Sequence, residues 1–214
     1  MSSGAAPGMN VAALFVHKNG TYFGLPGVDA WDKARDARLY SGPWPVVAHP
    51  PCARWCRLAG LVEKRWGHKK GDDDGCFESA LNSVRLWGGV LEHPAYTDAF
   101  LYYGLPAPAT EGWQRVMCGG WVAHIEQGRY GHVAKKATWL YAYGSESLPS
   151  LKWGLNPDGA SQALVSWCGN HVKSSERRPR VGKSAAAKTP IEFRDMLLSL
   201  ARTCKIKSAA TVKS

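Results

Sequence analysis

A cysteine follows two prolines directly after a short apolar run, and this arrangement suits a nucleophile. The run Val46–Ala48 is typical of a buried strand. His49 comes next, and the two prolines end the strand because neither can donate to a ladder. Cys52 is therefore predicted just past the carboxyl end of a strand, where sites form in open α/β sheets. A structural cysteine in a tight turn is the alternative.

A second candidate motif, Glu-His-Pro, follows the next predicted strand. Apolar residues at helical spacing predict a helix over Cys76–Trp87, and two glycines separate it from a strand at Val90-Leu91. Strand, helix and strand form a βαβ unit with parallel strands. Both strand ends then lie at one edge of the sheet. We expect Glu92 and His93 there, with Cys52 and Glu92 facing a common cleft.

A third motif is a polar turn before a strong predicted strand. Arg129, Tyr130 and His132 precede the strand Ala137–Tyr143, and Lys136 adjoins it. Basic side chains contact phosphates and aromatic rings stack on bases, so these four residues are candidates for substrate binding.

Residues around Cys52 add charge and an aromatic ring. Arg54 and Trp55 are candidates for substrate binding on the same grounds. A nucleophilic cysteine acts as the thiolate, and nearby positive charge lowers a thiol pKa. His49, Arg54 and Arg57 are the local candidates for that charge. A tryptophan such as Trp55 is more often part of the core, and this alternative stays open.

The three motifs in this order resemble the catalytic half of the cytosine-C5 DNA methyltransferases. That family has a Pro-Cys loop, a Glu motif after the next strand and a Tyr-Gly turn before a later strand. The resemblance covers roughly residues 44–143, and residues 129–143 are also similar to uncharacterised phage-type proteins. It implies an α/β fold with a Rossmann-like, methyltransferase-like and mostly parallel sheet. It also implies that Cys52 adds to pyrimidine C6 and that Glu92 binds the base. His49 and His93, which lie beside them in the two motifs, are the other catalytic candidates.

The chain departs from that family where the cofactor would bind. No Phe-x-Gly-x-Gly loop follows the first predicted strand, Met9–Val16, and His93-Pro94 replaces Asn-Val. S-adenosylmethionine, the cofactor that the resemblance implies, is therefore left open and the cofactor is unknown. Asp29, Asp32 and Asp36 are the carboxylates that a cofactor ribose would use.

Composition indicates the partner class. The 214 residues carry a formal net charge of +10, which favours a polyanionic partner, most simply DNA or a nucleotide. No apolar run is long enough to span a membrane and no signal-peptide core follows the start, so we expect a cytoplasmic protein, in the host cytoplasm if phage-encoded. The six cysteines are scattered, as is typical of free thiols.

Two metal sites are alternatives, although no metal ligand is assigned. A Cys-x3-Cys spacing with a later histidine and cysteine would suit tetrahedral zinc. Its residues are Cys52, Cys56, His68 and Cys76. Histidines gathered at the strand ends would form a second type of site. Its residues are His49, His93, His124 and His132.

The chain divides into two predicted parts. Residues 9–170 form the α/β domain, in which 56–75 are expected to be a mobile loop and 96–113 a loop. Residues 171–214 form a basic linker, predicted disordered over 171–188, and a helix capped by Thr189 with Glu192 reaching back. The main hypothesis is a pyrimidine-modifying enzyme acting on nucleic acid. The alternatives are an inactive methyltransferase-like DNA- or protein-binding factor and a metal-dependent nucleotide hydrolase or deaminase.

Overall fold

The computed structural model describes residues 10–57, 59–145, 147–157, 163–165 and 179–204. Its strands are β1 Val11–Leu14, β2 Val28–Trp31, β3 Val46–Ala48, β4 Gly89–Pro94, β5 Gln114–Arg115, β6 Trp121–Glu126, β7 Ala134–Lys135, β8 Ala137–Tyr143, β9 Ala163–Val165 and β10 Arg180–Val181. Its α-helices are α1 Ala59–Trp66, α2 Cys76–Trp87, α3 Asp98–Tyr102, α4 Lys183–Ala187 and α5 Ile191–Arg202. Short 3-10 helices lie at Ala37–Leu39 and Gln127–Tyr130.

The protein has an α/β fold around a mixed seven-stranded sheet. The strand order is β2-β1-β3-β4-β8-β6-β5. The first four strands are parallel, and β4 with β8, β8 with β6 and β6 with β5 are antiparallel. The expectation of a mostly parallel sheet therefore holds only for the first four strands. A small second sheet, in the order β10-β9-β7, is parallel.

The predicted βαβ unit is confirmed. Helix α2 has the predicted bounds and buries an apolar face against the sheet. Strands β3 and β4 pair in parallel, with Ala48 opposite Leu91, so their carboxyl ends meet at one edge. Gly89 allows the close approach of these strands, because a Cβ there would lie 1.9 Å from the Val46 carbonyl oxygen. This pairing places Cys52 and Glu92 on neighbouring strand ends.

Two segments predicted as loops contain helices. Helix α1 occupies 59–66, so the prediction of a mobile loop over 56–75 is wrong there. Helix α3 lies within 96–113, capped by the Thr97 hydroxyl, which accepts from the Ala99 backbone N–H. Both helices are short and carry few apolar residues that face the core, and periodicity is a weak signal over so few positions.

The carboxyl-terminal part is also more ordered than predicted. Residues 179–187 contain β10 and α4, whereas 171–178 lie outside the described residues. Helix α5 confirms the predicted helix, but the capping box is wrong. Pro190 is the N-cap, and the Glu192 carboxylate pairs with the Lys152 ammonium instead. The charged ammonium group of Lys152 is a stronger hydrogen-bond partner for the Glu192 carboxylate than a backbone N–H would be.

The sheet separates two apolar clusters. Helix α5 packs Phe193 and Leu197 against a face that includes Val11, Val47 and Val90, which we name the α5 face. Helix α2 packs against the opposite face, named the α2 face, which is lined by Ala12, Leu14, Val46, Ala48 and Leu91. Among the described helices, none is long and apolar enough to cross a membrane.

Candidate active site

The Glu92 carboxylate lies at the end of β4 and is held by side chains from other elements. Leu91 faces α2, so the next residue in the strand, Glu92, points to the α5 face. His49, one residue after β3, reaches the same face, and its Nδ1 lies 2.9 Å from Glu92 Oε2. Gln127, after β6, donates from Nε2 to Glu92 Oε1 at 3.0 Å. Three strand ends thus converge on one carboxylate.

The hydrogen bonds continue beyond this carboxylate in both directions. Gln127 Nε2 also lies 2.9 Å from Thr138 Oγ1. On the other side, the Tyr22 hydroxyl lies 2.8 Å from His49 Nε2. An ionised Glu92 only accepts, so His49 Nδ1 carries the proton between them, and His49 Nε2 forms the hydrogen bond with the Tyr22 hydroxyl. The five side chains form a continuous buried network at the edge of the sheet.

Glu92 is ionised at neutral pH despite its burial. Desolvation raises the pKa of this carboxyl group. The hydrogen bond from His49 and the positive charge of Lys136 outweigh that effect and hold the pKa at about 2. At pH 7 the Glu92 carboxylate therefore accepts hydrogen bonds and has no proton to donate.

Cys52 shares this environment. The residue is exposed, but desolvation of the thiol raises its pKa, and the negative charge of Glu92 raises it further. Lys136 lowers it. Lys136 precedes β8, whose start pairs with the end of β4, so Cys52, Glu92 and Lys136 lie at one edge of the sheet. The expectation that His49, Arg54 and Arg57 lower the thiol pKa is wrong, because burial and Glu92 dominate.

His93 lies on the other side of the sheet from Glu92. Its ring packs in the α2 face, edge to face with Phe77 at 5.1 Å between centroids. Desolvation lowers the pKa of His93 to about 4, against the opposing influence of Glu92 and the Pro51 carbonyl, so the ring is neutral at pH 7. The structure therefore does not place His93 beside His49 around the Glu92 carboxylate.

On both faces of the sheet near this strand end, several buried polar atoms make no hydrogen bond of good geometry among the described residues. In the part of the chain that the structure describes, neither ring nitrogen of His93 makes a hydrogen bond of good geometry. The same holds for Trp139 Nε1, on the residue paired with His93 across β4 and β8, and for Gln127 Oε1. Such atoms are uncommon in folded proteins and concentrate at functional sites.

Of the other residues predicted to bind substrate, some lie near Glu92 and others lie in the core or away from the site. Lys136 lies at the site, as described. Arg54 is half-buried beside Trp55, whereas Trp55 itself is buried in the core and donates from Nε1 to Asp73 at 2.8 Å. The structure does not bring the Trp55 ring to a surface where a base would stack.

The side chains of the turn at residues 129–132 contact neighbouring segments of the chain and do not face the Glu92 carboxylate. Arg129 Nη1 donates to the Leu155 carbonyl oxygen at 3.0 Å. The buried Tyr130 ring packs on Phe193, and His132 is buried with Nδ1 bonded to the backbone of Ala134. The turn is tied to the site through Gln127, whose carbonyl oxygen accepts from the His132 backbone N–H at 3.1 Å.

Neither predicted metal set is assembled. Among the described residues, which include every member of both sets, no group of three or more His, Cys, Asp or Glu side chains is arranged to hold a metal ion. The four histidines lie apart because His93 and His124 belong to the face of the sheet opposite His49.

The residues after β1 do not fit S-adenosylmethionine, the cofactor that the resemblance implies. The strand order reverses between β1 and β3, and ligands bind at such a switch point in open α/β sheets. At this point the Tyr22 side chain, which is 2% exposed, forms a hydrogen bond with His49 between the loops that follow β1 and β3. No helix begins within the described loop 15–27. The Asp29 carboxylate is already bound by Arg35 and Trp31.

Three members of the network were not assigned roles from the sequence: Tyr22, Gln127 and Thr138. Gln127 directly follows the largely apolar stretch that forms β6, which is a signal of the same kind as that of Glu92. Tyr22 lies 27 positions before His49 in an irregular stretch, and nothing local indicates their contact. The chain has no match among the protein-family models, the curated proteins or the solved structures with which it was compared.

Proposed function

We propose that this protein is an enzyme that modifies a pyrimidine base in nucleic acid, with Cys52 as the nucleophile and Glu92 as the group that binds the base. The observation that carries the proposal is that Cys52 after β3, Glu92 in β4 and Lys136 before β8 lie at one edge of the sheet. A nucleophile, a fixed acceptor and a cation in one place are what addition to a polar aromatic ring requires.

The chemistry begins with reversible addition. The Cys52 thiol loses its proton, the sulfur forms a bond to ring carbon C6, and the C5–C6 double bond opens. The electron pair moves into the ring toward N3 and a solvent proton adds at C5. Reversal removes a proton from C5, restores the double bond and releases the sulfur. No co-reactant is consumed, so this step is independent of the cofactor.

The roles of the other residues follow from their charge states. The Glu92 carboxylate, ionised and held by His49 and Gln127, accepts a hydrogen bond from an N–H group on the base edge. Lys136 lowers the pKa of the thiol and provides a positive charge for the base or its phosphate. A base within a duplex must leave the stack to reach these groups, so single-stranded nucleic acid is the simplest substrate.

The fold supports a methyltransferase-like ancestry as part of the same proposal. The site lies at the carboxyl ends of the adjacent parallel strands β3 and β4, and the antiparallel strands lie on one side of the four parallel strands. Parallel sheets extended by antiparallel strands are common among α/β folds.

A binding protein without catalysis is the second candidate. The raised pKa of Cys52 and the Tyr22–His49 bridge at the switch point favour it. Trapping separates the two candidates. A single-stranded oligonucleotide containing 5-azacytosine should give a covalent adduct in the mass spectrum of the intact protein, absent from Cys52→Ser. An oligonucleotide that binds without any adduct at alkaline pH would favour the binding protein.

A further inference from the structure

We propose that residues 59–70, named the basic arm, bind single-stranded nucleic acid and hold it beside Cys52. The basic arm comprises helix α1 and the four residues after it. The inference rests on the proposed function for the nature of the substrate, and it adds the surface by which that substrate is held.

The basic arm is fixed to the core close to Cys52. Trp55, three positions after Cys52, is buried and donates to the buried Asp73 carboxylate. The Gly71 backbone N–H donates to the Arg54 carbonyl oxygen at 2.9 Å. The segments just before and just after the basic arm are thus hydrogen-bonded to each other. The basic arm therefore projects from the same point as the loop that carries Cys52.

The basic arm contributes little to the core. Ala59 is the only buried residue of α1, while the remainder of the helix is exposed or half-buried. Leu61 is 63% exposed and Trp66 is 53% exposed. A helix that buries so little is not explained by packing, so its side chains are available to a partner.

The charge of the basic arm selects a polyanion. Exposed cations in the arm and at its base have no carboxylate partner among the described residues; these are Arg57, Lys64, Arg65 and Lys69. Lys70 is the exception and pairs with Asp98 at 2.7 Å. Unpaired cations grouped on one exposed segment are the electrostatic footprint of phosphate binding.

An exposed ring among these cations favours single-stranded nucleic acid over other polyanions. The Arg65 guanidinium lies 5.0 Å from the centroid of the Trp66 ring. Basic grooves with aromatic rings bind single strands because cations contact phosphates and bases stack on the rings. Trp66, unlike the buried Trp55, presents its ring to solvent.

Anisotropy of a fluorescent single-stranded oligonucleotide tests the charge contribution. Lys64→Ala/Arg65→Ala should weaken binding at least about tenfold at low salt and reduce the slope of log K against log salt by about 1.4, or about 0.7 per lost phosphate contact. The matched control, Lys33→Ala/Arg115→Ala, removes two exposed charges at opposite edges of the sheet and should change binding less than about twofold. Equal losses in the two double variants would overturn the proposal.

The ring is tested separately. Trp66→Ala should weaken single-strand binding by roughly 5- to 100-fold while binding of heparin, a polyanion without bases, is retained. Leu61→Ala, at an exposed position of the same helix, is the control. Equal loss on heparin, or tighter binding of duplex than of single strand, would contradict the role of the basic arm. If both variants weaken binding but no Cys52 adduct forms, the basic arm stands and the proposed enzyme fails.

Discussion

The Tyr22 hydroxyl lies 2.8 Å from His49 Nε2, and this hydrogen bond joins the loop after β1 to the loop after β3. The hydrogen bond spans the position between β1 and β3, where the strand order reverses. It also fixes the imidazole that holds the Glu92 carboxylate at 2.9 Å. The position of the carboxylate therefore depends on a residue from the loop after β1, outside β3 and β4.

Tyr22→Phe should lower the free energy of unfolding by about 1–2 kcal/mol, because the hydrogen bond between the Tyr22 hydroxyl and the part-buried His49 ring is lost. As a positioning residue, Tyr22 should also affect binding of the base more than the stability loss explains. Urea denaturation and oligonucleotide titration measure the two effects. Tyr102→Phe, at a 73% exposed position, is the control. An unchanged unfolding free energy would show that the hydrogen bond is not formed.

Glu92→Gln should remove a specific part of the acid denaturation. The pKa of Glu92 is lowered from 4.5 to about 2, so its ionised form stabilises the fold above pH 4.5. That contribution, roughly 3 kcal/mol, is lost as the pH falls from 4.5 to 2. The variant should show a flatter dependence of the unfolding free energy in this window. Glu78→Gln, at an exposed position of α2, should retain the original slope.

His93→Phe should flatten the pH dependence of the unfolding free energy in a different range, between pH 6.5 and pH 4. Its pKa is lowered from 6.5 to about 4, so the unfolded chain binds a proton more readily, and stability falls as the pH drops from 6.5 to 4. This loss amounts to roughly 3 kcal/mol in the wild-type protein. At pH 7 the variant should be nearly as stable as the wild type, since neither ring nitrogen makes a hydrogen bond of good geometry within the described residues. Thermal unfolding at pH 7 and pH 5 measures both expectations, and a variant strongly destabilised at pH 7 would contradict this account.

Asp73→Ala should destabilise the base of the basic arm. One carboxylate oxygen accepts from Trp55 Nε1 at 2.8 Å and from the Phe77 backbone N–H at 2.9 Å. Both donors are buried, so their loss should cost about 2–4 kcal/mol in urea denaturation. The adjacent and exposed Asp72→Ala should cost less than about 0.5 kcal/mol. Similar effects of both substitutions would show that Asp73 does not hold the arm.

The sequence predicted the parts of the site that depend on regular structure. The apolar run before His49, the periodicity of α2 and the Gly-Gly break together predicted that Cys52 and Glu92 would share an edge. The role of Trp55 was not predictable in this way, since its burial against Phe77 and its hydrogen bond to Asp73 are contacts between separate segments of the chain. Contacts between distant irregular segments, such as Tyr22 with His49, leave no periodic signal.

The central claim is that Cys52 adds to a pyrimidine held by Glu92, and deuterium exchange at C5 tests it without a cofactor. A single-stranded oligonucleotide containing cytosine is incubated with the protein in deuterated buffer and its nucleosides are examined by mass spectrometry. Exchange should rise about tenfold per pH unit up to pH 9, because the thiolate attacks and the thiol pKa is raised above 9.0. Cys52→Ser should abolish exchange and Glu92→Gln should slow it at least about 100-fold, while Cys118→Ser, at another exposed thiol, should leave it unchanged. Exchange that persists in Cys52→Ser, or that is absent from the wild-type protein at every pH, would contradict the account.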